Sequence, residues 1–467
     1  MKGLSTTRRL TVLLALAGLY FSAGKLGLEL AVVHASISAV WPATGVALAA
    51  FLILGYDAWP GILLGSFLVN LTTAGSAAVC LGIAIGDTLE GLAGTYLVNK
   101  FARGRNAFQR TQDIFKFVFF AAILSSAIAA TIGMTSLSIG RSAPWANYWT
   151  MWFTWWQGDA VGAIVVTPVL LLWTGERRMK WDTNQIVEAC AVLVLLLAIG
   201  LTIFDGIFST QAGYAPIEFL CIPVLIWAAL RFGPREAAIA TTILAGIAIW
   251  GTMRGNGPFV MQNKNASLLL LQAFMGVTVI VTLVLAAEVR QRKDSLEKIR
   301  LMALSDPLTG LANYRRLVEA LEGEMRRYGR TERPFAILVL DLDGLKIIND
   351  TYGHVVGSQA LRRVAEILRA HCRATDLPAR YGGDEFVVVL PESERAAAEQ
   401  VARRISDHVA KSSERPPISV SIGVAVYPVN GISITELVAA ADRELYAKKA
   451  EKNSKTPRTA DSVNYIL

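Results

Sequence analysis

Charge is scarce in this 467-residue sequence: Asp, Glu, Lys and Arg make up 18% of it, where a soluble globular domain averages about 25%. Together with a mean hydropathy of +0.44, this excludes a wholly soluble chain. Cysteine is scarce too. Cys80, Cys190, Cys221 and Cys372 lie far apart without a C-x-x-C pair, which excludes a disulfide framework and a zinc ribbon. The first three fall in apolar stretches and read as buried, inert thiols. His34, His354, His371 and His408 show no metal-ligand spacing, so a histidine metal centre is excluded as well. The net charge of +8 calls for no nucleic-acid partner, because basic loops flanking membrane helices produce such an excess.

The shortage of charge is local. Residues 1–289 hold 17 Lys+Arg and 13 Asp+Glu, whereas the remaining 178 hold 28 and 24. Two physical classes are joined end to end: a membrane domain, then a soluble domain long enough to bury its own core. Ten apolar stretches fall near 10–33, 35–56, 58–75, 77–98, 113–139, 149–174, 186–204, 214–230, 235–253 and 266–289. The expectation is a multi-pass α-helical membrane domain of about 8–10 transmembrane helices, each needing roughly 20 residues. With the N-terminus inside, the inner segments carry Lys2, Arg8, Arg9, Lys100, Arg103, Arg105, Arg110, Lys116, Arg177, Arg178 and Lys180. Arg231, Arg235, Arg290, Arg292, Lys293, Lys298 and Arg300 complete that set, against Arg141, Arg254 and Lys264 outside. This positive-inside bias puts the C-terminal domain in the cytoplasm. Arg8-Arg9 before an apolar run imitates a signal peptide, but the run continues past Lys25 and further spans follow. It reads as a retained first helix.

Ionisable residues inside spans are costly and default to function. The candidates are Glu29, Asp87, Glu90, Asp159, Glu188 and Glu218. Asp87 and Glu90 are three apart and share a helix face. Either some of these acids form a ligand or ion site, or they pair with Lys25 and backbone groups. Trp145, Trp149, Trp152, Trp155 and Trp156 form either an interfacial aromatic belt or a ligand-facing wall. The strings W-P-A-T-G-V-A-L-A-A (41–50), A-W-P-G-I-L-L-G (58–65), G-D-A-V-G-A-I-V-V-T-P (158–168) and L-I-W-A-A-L-R-F-G-P-R (225–235) resemble the MASE type of membrane-associated sensor domain, over 8–288. The resemblance implies an integral-membrane input module attached to a signalling output. The sensed ligand or partner protein stays open.

The junction E-V-R-Q-R-K-D-S-L-E-K-I-R-L-M-A-L (288–304) has no Pro or Gly, so the last span can continue as a helix. Val289, Leu296, Ile299 and Ala303 fit a–a–d–a heptad slots, with Arg292 in the intervening d. A dimer-forming signalling helix over 289–304 and a plain solvated helix are both consistent with that pattern.

From 305 onward, β-type runs at 335–343, 386–390 and 418–427 alternate with helical ones near 313–328, 357–371, 392–413 and 433–449. The expected class is α/β or α+β with a central sheet. Asp341-Leu342-Asp343 ends the first strand, and period two puts both carboxylates on one face. Gly344 and Lys346 follow, suited to phosphate. In R-Y-G-G-D-E-F (380–386), Gly382-Gly383 reads as a two-residue hairpin turn able to take positive φ, presenting Asp384 and Glu385 at its tip. Hard oxygens from Asp341 and Asp384 suit Mg²⁺, which takes one or two carboxylates plus substrate phosphates. Mn²⁺ is the alternative ion.

These strings, with D-P-L-T-G-L-A-N (306–313), N-D-T-Y-G-H (349–354) and S-I-G-V-A (421–425), resemble the GGDEF domain of diguanylate cyclases, over 305–455, with 456–467 as a tail. The resemblance implies a homodimer on the bacterial inner (cytoplasmic) membrane that condenses two GTP into cyclic di-GMP and pyrophosphate. By resemblance, Asp341, Asp384 and the Leu342 carbonyl hold the metal, and Glu385 helps deprotonate the attacking 3′-hydroxyl. Gly344, Leu345, Lys346 and Lys449 hold phosphates, Asn349 contacts the base, and Gly382 and Gly383 leave room for substrate. Arg373 and Asp376 match an R-x-x-D inhibitory site for cyclic di-GMP as feedback ligand. Two departures stand out. Lys452-Asn453-Ser454 replaces the usual Gly-Arg-Asn, and Ser358 replaces the aspartate that binds guanine. The second opens an alternative, a hybrid promiscuous cyclase that also takes ATP and makes cyclic GMP-AMP. A non-catalytic cyclic-dinucleotide receptor is the other alternative.

Overall fold

Helix forms within each of the ten apolar stretches, but not all ten helices are long. The computed structural model describes residues 5–29, 31–34, 37–38, 40–73, 76–175, 181–205, 217–411 and 415–455. Lys2, Arg177, Arg178, Lys180 and the expected tail over 456–467 lie outside the described residues. The chain divides into two units, Met1–Asp294 and Ser295–Leu467.

The first unit opens with α1 (Thr6–Glu29) and a short hairpin, β1 (Ala31–His34) with β2 (Ile37–Ser38). Then come α2 (Pro42–Leu54), α3 (Trp59–Leu71) and α4 (Ala77–Phe101). The next element begins as α5 (Thr111–Phe117), widens into a π-helical segment at Val118–Leu124, and continues as α6 (Ser126–Ile139). It is followed by α7 (Tyr148–Trp173), α8 (Thr183–Phe204), α9 (Ile222–Arg231), α10 (Pro234–Met253) and α11 (Lys264–Leu304). Among the described residues, 7 helices are long and apolar enough to cross a membrane. The other three, α2, α3 and α9, have 13, 13 and 10 residues. At about 1.5 Å per residue they fall short of a hydrocarbon core roughly 30 Å thick.

Small residues let these helices touch. A Cβ on Gly162 would lie 2.0 Å from the Trp41 carbonyl oxygen, and one on Gly45 would lie 2.6 Å from the Gly162 oxygen. Only glycine permits that approach of α2 to α7, and it brings Thr44 to Asp159. Cys80 and Cys221 are buried as expected, whereas Cys190 is exposed on α8.

The second unit is built on a four-stranded sheet of order β4-β5-β3-β6, from β3 (Phe335–Leu342), β4 (Leu377–Gly382), β5 (Glu385–Leu390) and β6 (Val420–Tyr427). Every pairing is antiparallel, so the class is α+β. Around the sheet lie α12 (Tyr314–Thr331), α13 (Leu345–Tyr352), α14 (His354–His371), α15 (Arg395–Ala410) and α16 (Ile434–Lys455). Strand β3 is buried on both faces. Ala336, Leu338, Leu340 and Leu342 join one core, and Phe335, Ile337 and Val339 join the other, with Leu317, Leu437 and Leu445 from α12 and α16. On β6, a Cβ at Gly423 would sit 2.0 Å from the Ala441 oxygen and 2.7 Å from the Leu445 nitrogen. The missing side chain lets α16 lie directly on the sheet.

Candidate active site

The odd-numbered face of β3 runs Phe335, Ile337, Val339 and then Asp341, so the carboxylate emerges where the apolar face ends. Its position opposite α16 puts Lys449 Nζ 2.6 Å from Asp341 Oδ1. Asp343, just past the strand, accepts from the Ser419 and Ser421 hydroxyls, both at 2.7 Å, and from Lys452 Nζ at 2.6 Å. The two carboxylates do share a face, and each holds a lysine of α16. Burial raises the Asp341 carboxyl, Lys449 opposes the rise, and Asp384 and Asp343 add to it. Burial works in the same sense on Asp343, but Lys452, Ser419 and Ser421 together hold its pKa below the usual carboxylate range. Lys452 has no counterpart in the expected motif, and only the fold reveals its partner.

Across the ladder, Glu385 pairs with Asp341 and Gly382 pairs with Glu385. The turn residues are therefore Gly383 and Asp384, one place later than the expected Gly382-Gly383, because Gly382 still belongs to β4. Neither Gly382 nor Gly383 takes positive φ. What glycine supplies here is space: a Cβ on Gly383 would meet nothing within 4 Å, and one on Gly382 only Glu385 Oε2 at 3.7 Å. The Leu342 N–H donates to the Asp384 carbonyl at 3.1 Å, tying the turn to the end of β3. Burial raises Glu385, and the neighbouring carboxylates Asp442, Asp341 and Asp384 push it further against Lys449. Asp442, on α16, is itself raised by burial.

Arg380 clamps this turn, a role the sequence argument missed. Its Nε and Nη2 donate to the Gly383 carbonyl at 3.2 and 2.6 Å, and Nη1 donates to Asp306 Oδ1 and Oδ2 at 3.3 and 3.2 Å. Asp306 also accepts from the Thr309 N–H at 2.8 Å and the Thr309 hydroxyl at 2.6 Å. Burial tends to raise Asp306, but Thr309 and Arg380 outweigh it and hold the carboxyl below its ordinary value.

Gly344, with φ of 72°, opens α13, a helix where the sequence pattern assigns no element. Positive φ there turns the chain from β3 into the helix carrying half-buried Leu345 and Asn349 and exposed Lys346. A Cβ on Gly357 would lie 1.9 Å from Asn349 Oδ1, so the Asn349 amide rests against α14 one residue before half-buried Ser358. Arg373 and Asp376 form their own turn before β4: the Arg373 N–H donates to Asp376 Oδ2 at 2.8 Å, and the Asp376 N–H donates to the Arg373 carbonyl at 3.0 Å. The exposed Arg373 guanidinium has no partner among the described residues.

In the membrane unit, three of the six candidate acids converge: Asp87, Glu90 and Asp159. Glu188 instead pairs with Arg231 and Trp227, and Glu29 is exposed at the end of α1. Glu218 stands apart in the turn before α9.

Residues 12–293 match the MASE1 family, and residues 303–455 match the family described as diguanylate cyclase, GGDEF domain. The GGDEF portion is 43% identical over 152 residues to the bifunctional diguanylate cyclase/cyclic di-GMP phosphodiesterase MucR of Pseudomonas aeruginosa, 32% of this chain and 22% of that protein. It is 37% identical over 165 residues to the response regulator PleD of Caulobacter vibrioides, 34% of this chain and 36% of that protein. The solved coiled coil and GGDEF domain of DgcB from Caulobacter crescentus, in complex with c-di-GMP, matches at 29% identity and a TM-score of 0.33, covering 35% of this chain and 90% of that one. The chain thus spans 22% and 36% of the two curated relatives. It belongs to the MASE1 family over its membrane half and carries a GGDEF domain behind it.

Proposed function

We propose that the chain is a membrane-bound diguanylate cyclase that condenses two GTP into cyclic di-GMP and pyrophosphate. The observation that carries this reading is Glu385 paired with Asp341 across the ladder, with Asp384 in the adjoining turn and Lys449 on Asp341. The donors Asp341, Asp384 and the Leu342 carbonyl are all hard oxygens. Among the described residues no group of three or more His, Cys, Asp or Glu forms a metal centre. Two carboxylates suit Mg²⁺, which leaves its other positions to substrate phosphates and water; Mn²⁺ suits the same donors. When bound, such an ion neutralises charge on the phosphates being displaced. Lys449 and Lys346 add positive charge, and Gly344 offers a side-chain-free approach. Glu385 takes the proton of the 3′-hydroxyl as it attacks the α-phosphate of the nucleotide held by a second copy, and pyrophosphate leaves. Exposed Leu296 and Ile299 on α11 offer that second copy an apolar seam. The positive-inside bias favours a cytoplasmic GGDEF domain at the bacterial inner membrane. The free Arg373 guanidinium, with Asp376, supports feedback by bound product.

Incubating the purified full chain with Mg²⁺ and equimolar GTP and ATP, with products resolved by mass spectrometry, tests the reading. Cyclic di-GMP is expected, and Asp384→Ala should abolish it with unchanged circular dichroism. No pyrophosphate release from the wild type would instead favour a cyclic-dinucleotide receptor. Ser358 beside Asn349 supports a second reading, in which serine, both donor and acceptor, rejects adenine less well than aspartate. Mixed cyclic GMP-AMP in the same assay would establish it.

A further inference from the structure

Three carboxylates meet inside the membrane unit, and the groups found in contact with them are hydroxyls, tryptophans and one another. Asp87 and Glu90 come from α4 and Asp159 from α7, at 5%, 1% and 1% exposure. Asp87 Oδ2 accepts from Tyr20 of α1 at 2.9 Å and Ser66 of α3 at 2.6 Å. Asp159 Oδ1 accepts from Thr44 of α2 at 3.1 Å. Thr44 and Ser126 of α6 stand beside Glu90. Lys25, the basic residue that the sequence offers as a partner, donates instead to Thr73 at 2.9 Å.

The cluster is not satisfied from within. Glu90 Oε1, Asp159 Oδ2 and the Ser126 hydroxyl oxygen are sealed from solvent and make no hydrogen bond of good geometry, although Ser126 and Thr44 reach toward Glu90 and Trp155 toward Asp159. Ser126 is fully buried and lies two residues past the end of the π-helical segment, a backbone irregularity frequent at functional sites. A shared proton joins only two carboxylate oxygens at a time. A cation satisfies several oxygens at once and offsets the charge that hydrocarbon penalises. The donors are carboxylate and hydroxyl oxygens without nitrogen or sulfur, which disfavours transition metals. Calcium needs more ligands and magnesium retains its waters, and no three acids among the described residues form a metal centre.

We propose that Glu90, Asp159, Thr44 and Ser126 bind a small monovalent cation of the Na⁺ type inside the membrane unit, with Asp87 adding negative charge. The site would give this sensor domain an ionic ligand, independent of the cyclase reading. The test uses the purified full chain in detergent, titrated with NaCl against choline chloride at constant ionic strength and pH. Tryptophan fluorescence reports binding, since Trp155 adjoins Asp159 and Trp41 adjoins Tyr20. A saturable response to NaCl and none to choline is expected, with half-saturation raised about tenfold or more in Glu90→Gln and Thr44→Val. An equal response to choline, no saturable response to Na⁺, Li⁺ or K⁺, or a response to pH alone would overturn the proposal. Should the variants fail to fold, these wild-type arms decide it. Unchanged half-saturation in folded Glu90→Gln would also overturn it.

Discussion

Replacing Arg380 by alanine should loosen the hairpin turn that carries Asp384. The guanidinium makes two bonds to the Gly383 carbonyl and bridges to Asp306, with the two side chains 16% and 15% exposed. Breaking a fully buried ion pair costs about 3–5 kcal/mol. Asp306 would keep its two bonds from Thr309, so the loss should be nearer 2–3 kcal/mol, close to that of one or two hydrogen bonds to a charged group, about 1.5–3 kcal/mol each. The effect should be local, because the turn would then be held by the Gly382–Glu385 pair and the bond from Leu342 to Asp384. Hydrogen exchange read by mass spectrometry on the full chain should show the segment 380–386 opening about 25- to 150-fold more readily, at roughly 1.4 kcal/mol per tenfold. Arg380→Lys, which keeps the charge without the fork, should fall between. Asp306→Asn combined with Arg380→Ala should be less than additive, by about 1 kcal/mol. A folded Arg380→Ala whose segment exchanges at the wild-type rate would refute the clamp.

The same pair sets a pH dependence. Asp306 has a folded-state pKa below its ordinary value, so its stabilisation is fully present above the unfolded value of about 3.9 and is lost as pH falls through the folded value. Exchange protection of the hairpin should weaken in that acid range in the wild type, and the component should vanish in Asp306→Asn. Gly423→Ala should lower stability by about 3 kcal/mol, measured by thermal unfolding, since its Cβ would drive into the Ala441 and Leu445 backbone. Turnover should fall with it, as Lys449 shifts away from Asp341; unchanged unfolding would refute the packing argument. Gly383→Ala meets open space, so stability should change by less than about 0.5 kcal/mol, while a steady-state assay should show turnover lost to the filled approach. Full activity would place the substrate elsewhere.

Hydropathy reveals where the membrane helices lie but not how long they are. The stretches 35–56 and 58–75 look continuous because apolar residues fill helix and connection alike. Yet each short helix has a proline at its first or second position: Pro42 in α2, Pro60 in α3 and Pro223 in α9. Proline lacks the N–H that an interior helical position needs, so it marks a first turn. That signal was present in the sequence. Strand direction was not. Buried on both faces, β3 reads as the unbroken apolar run of a parallel strand, and its antiparallel partners follow in the chain only after long helical connections.

The site was legible where its residues are neighbours in the chain. Asp341 and Asp343 share a face by period two, and the acidic turn follows from its own string. The charge partners were hidden because the fold sets their distances: Arg380 lies 74 residues from Asp306, and Lys452 lies 109 from Asp343. The one-residue shift of the turn shows how finely this matters. If Gly382 and Gly383 formed the turn, Asp384 would enter the ladder with its side chain on the face opposite Glu385, since each step along a strand reverses the side chain. The observed register pairs Gly382 with Glu385, leaves Asp384 in the turn, and returns Glu385 to the sheet opposite Asp341 and near Asp442. Adjacent acids thereby acquire different surroundings. One stands in an open turn fixed through its backbone to Leu342, and the other is pressed among carboxylates that favour its taking a proton. In the proposed mechanism, metal ligand and base are separated by a single step of the pleat.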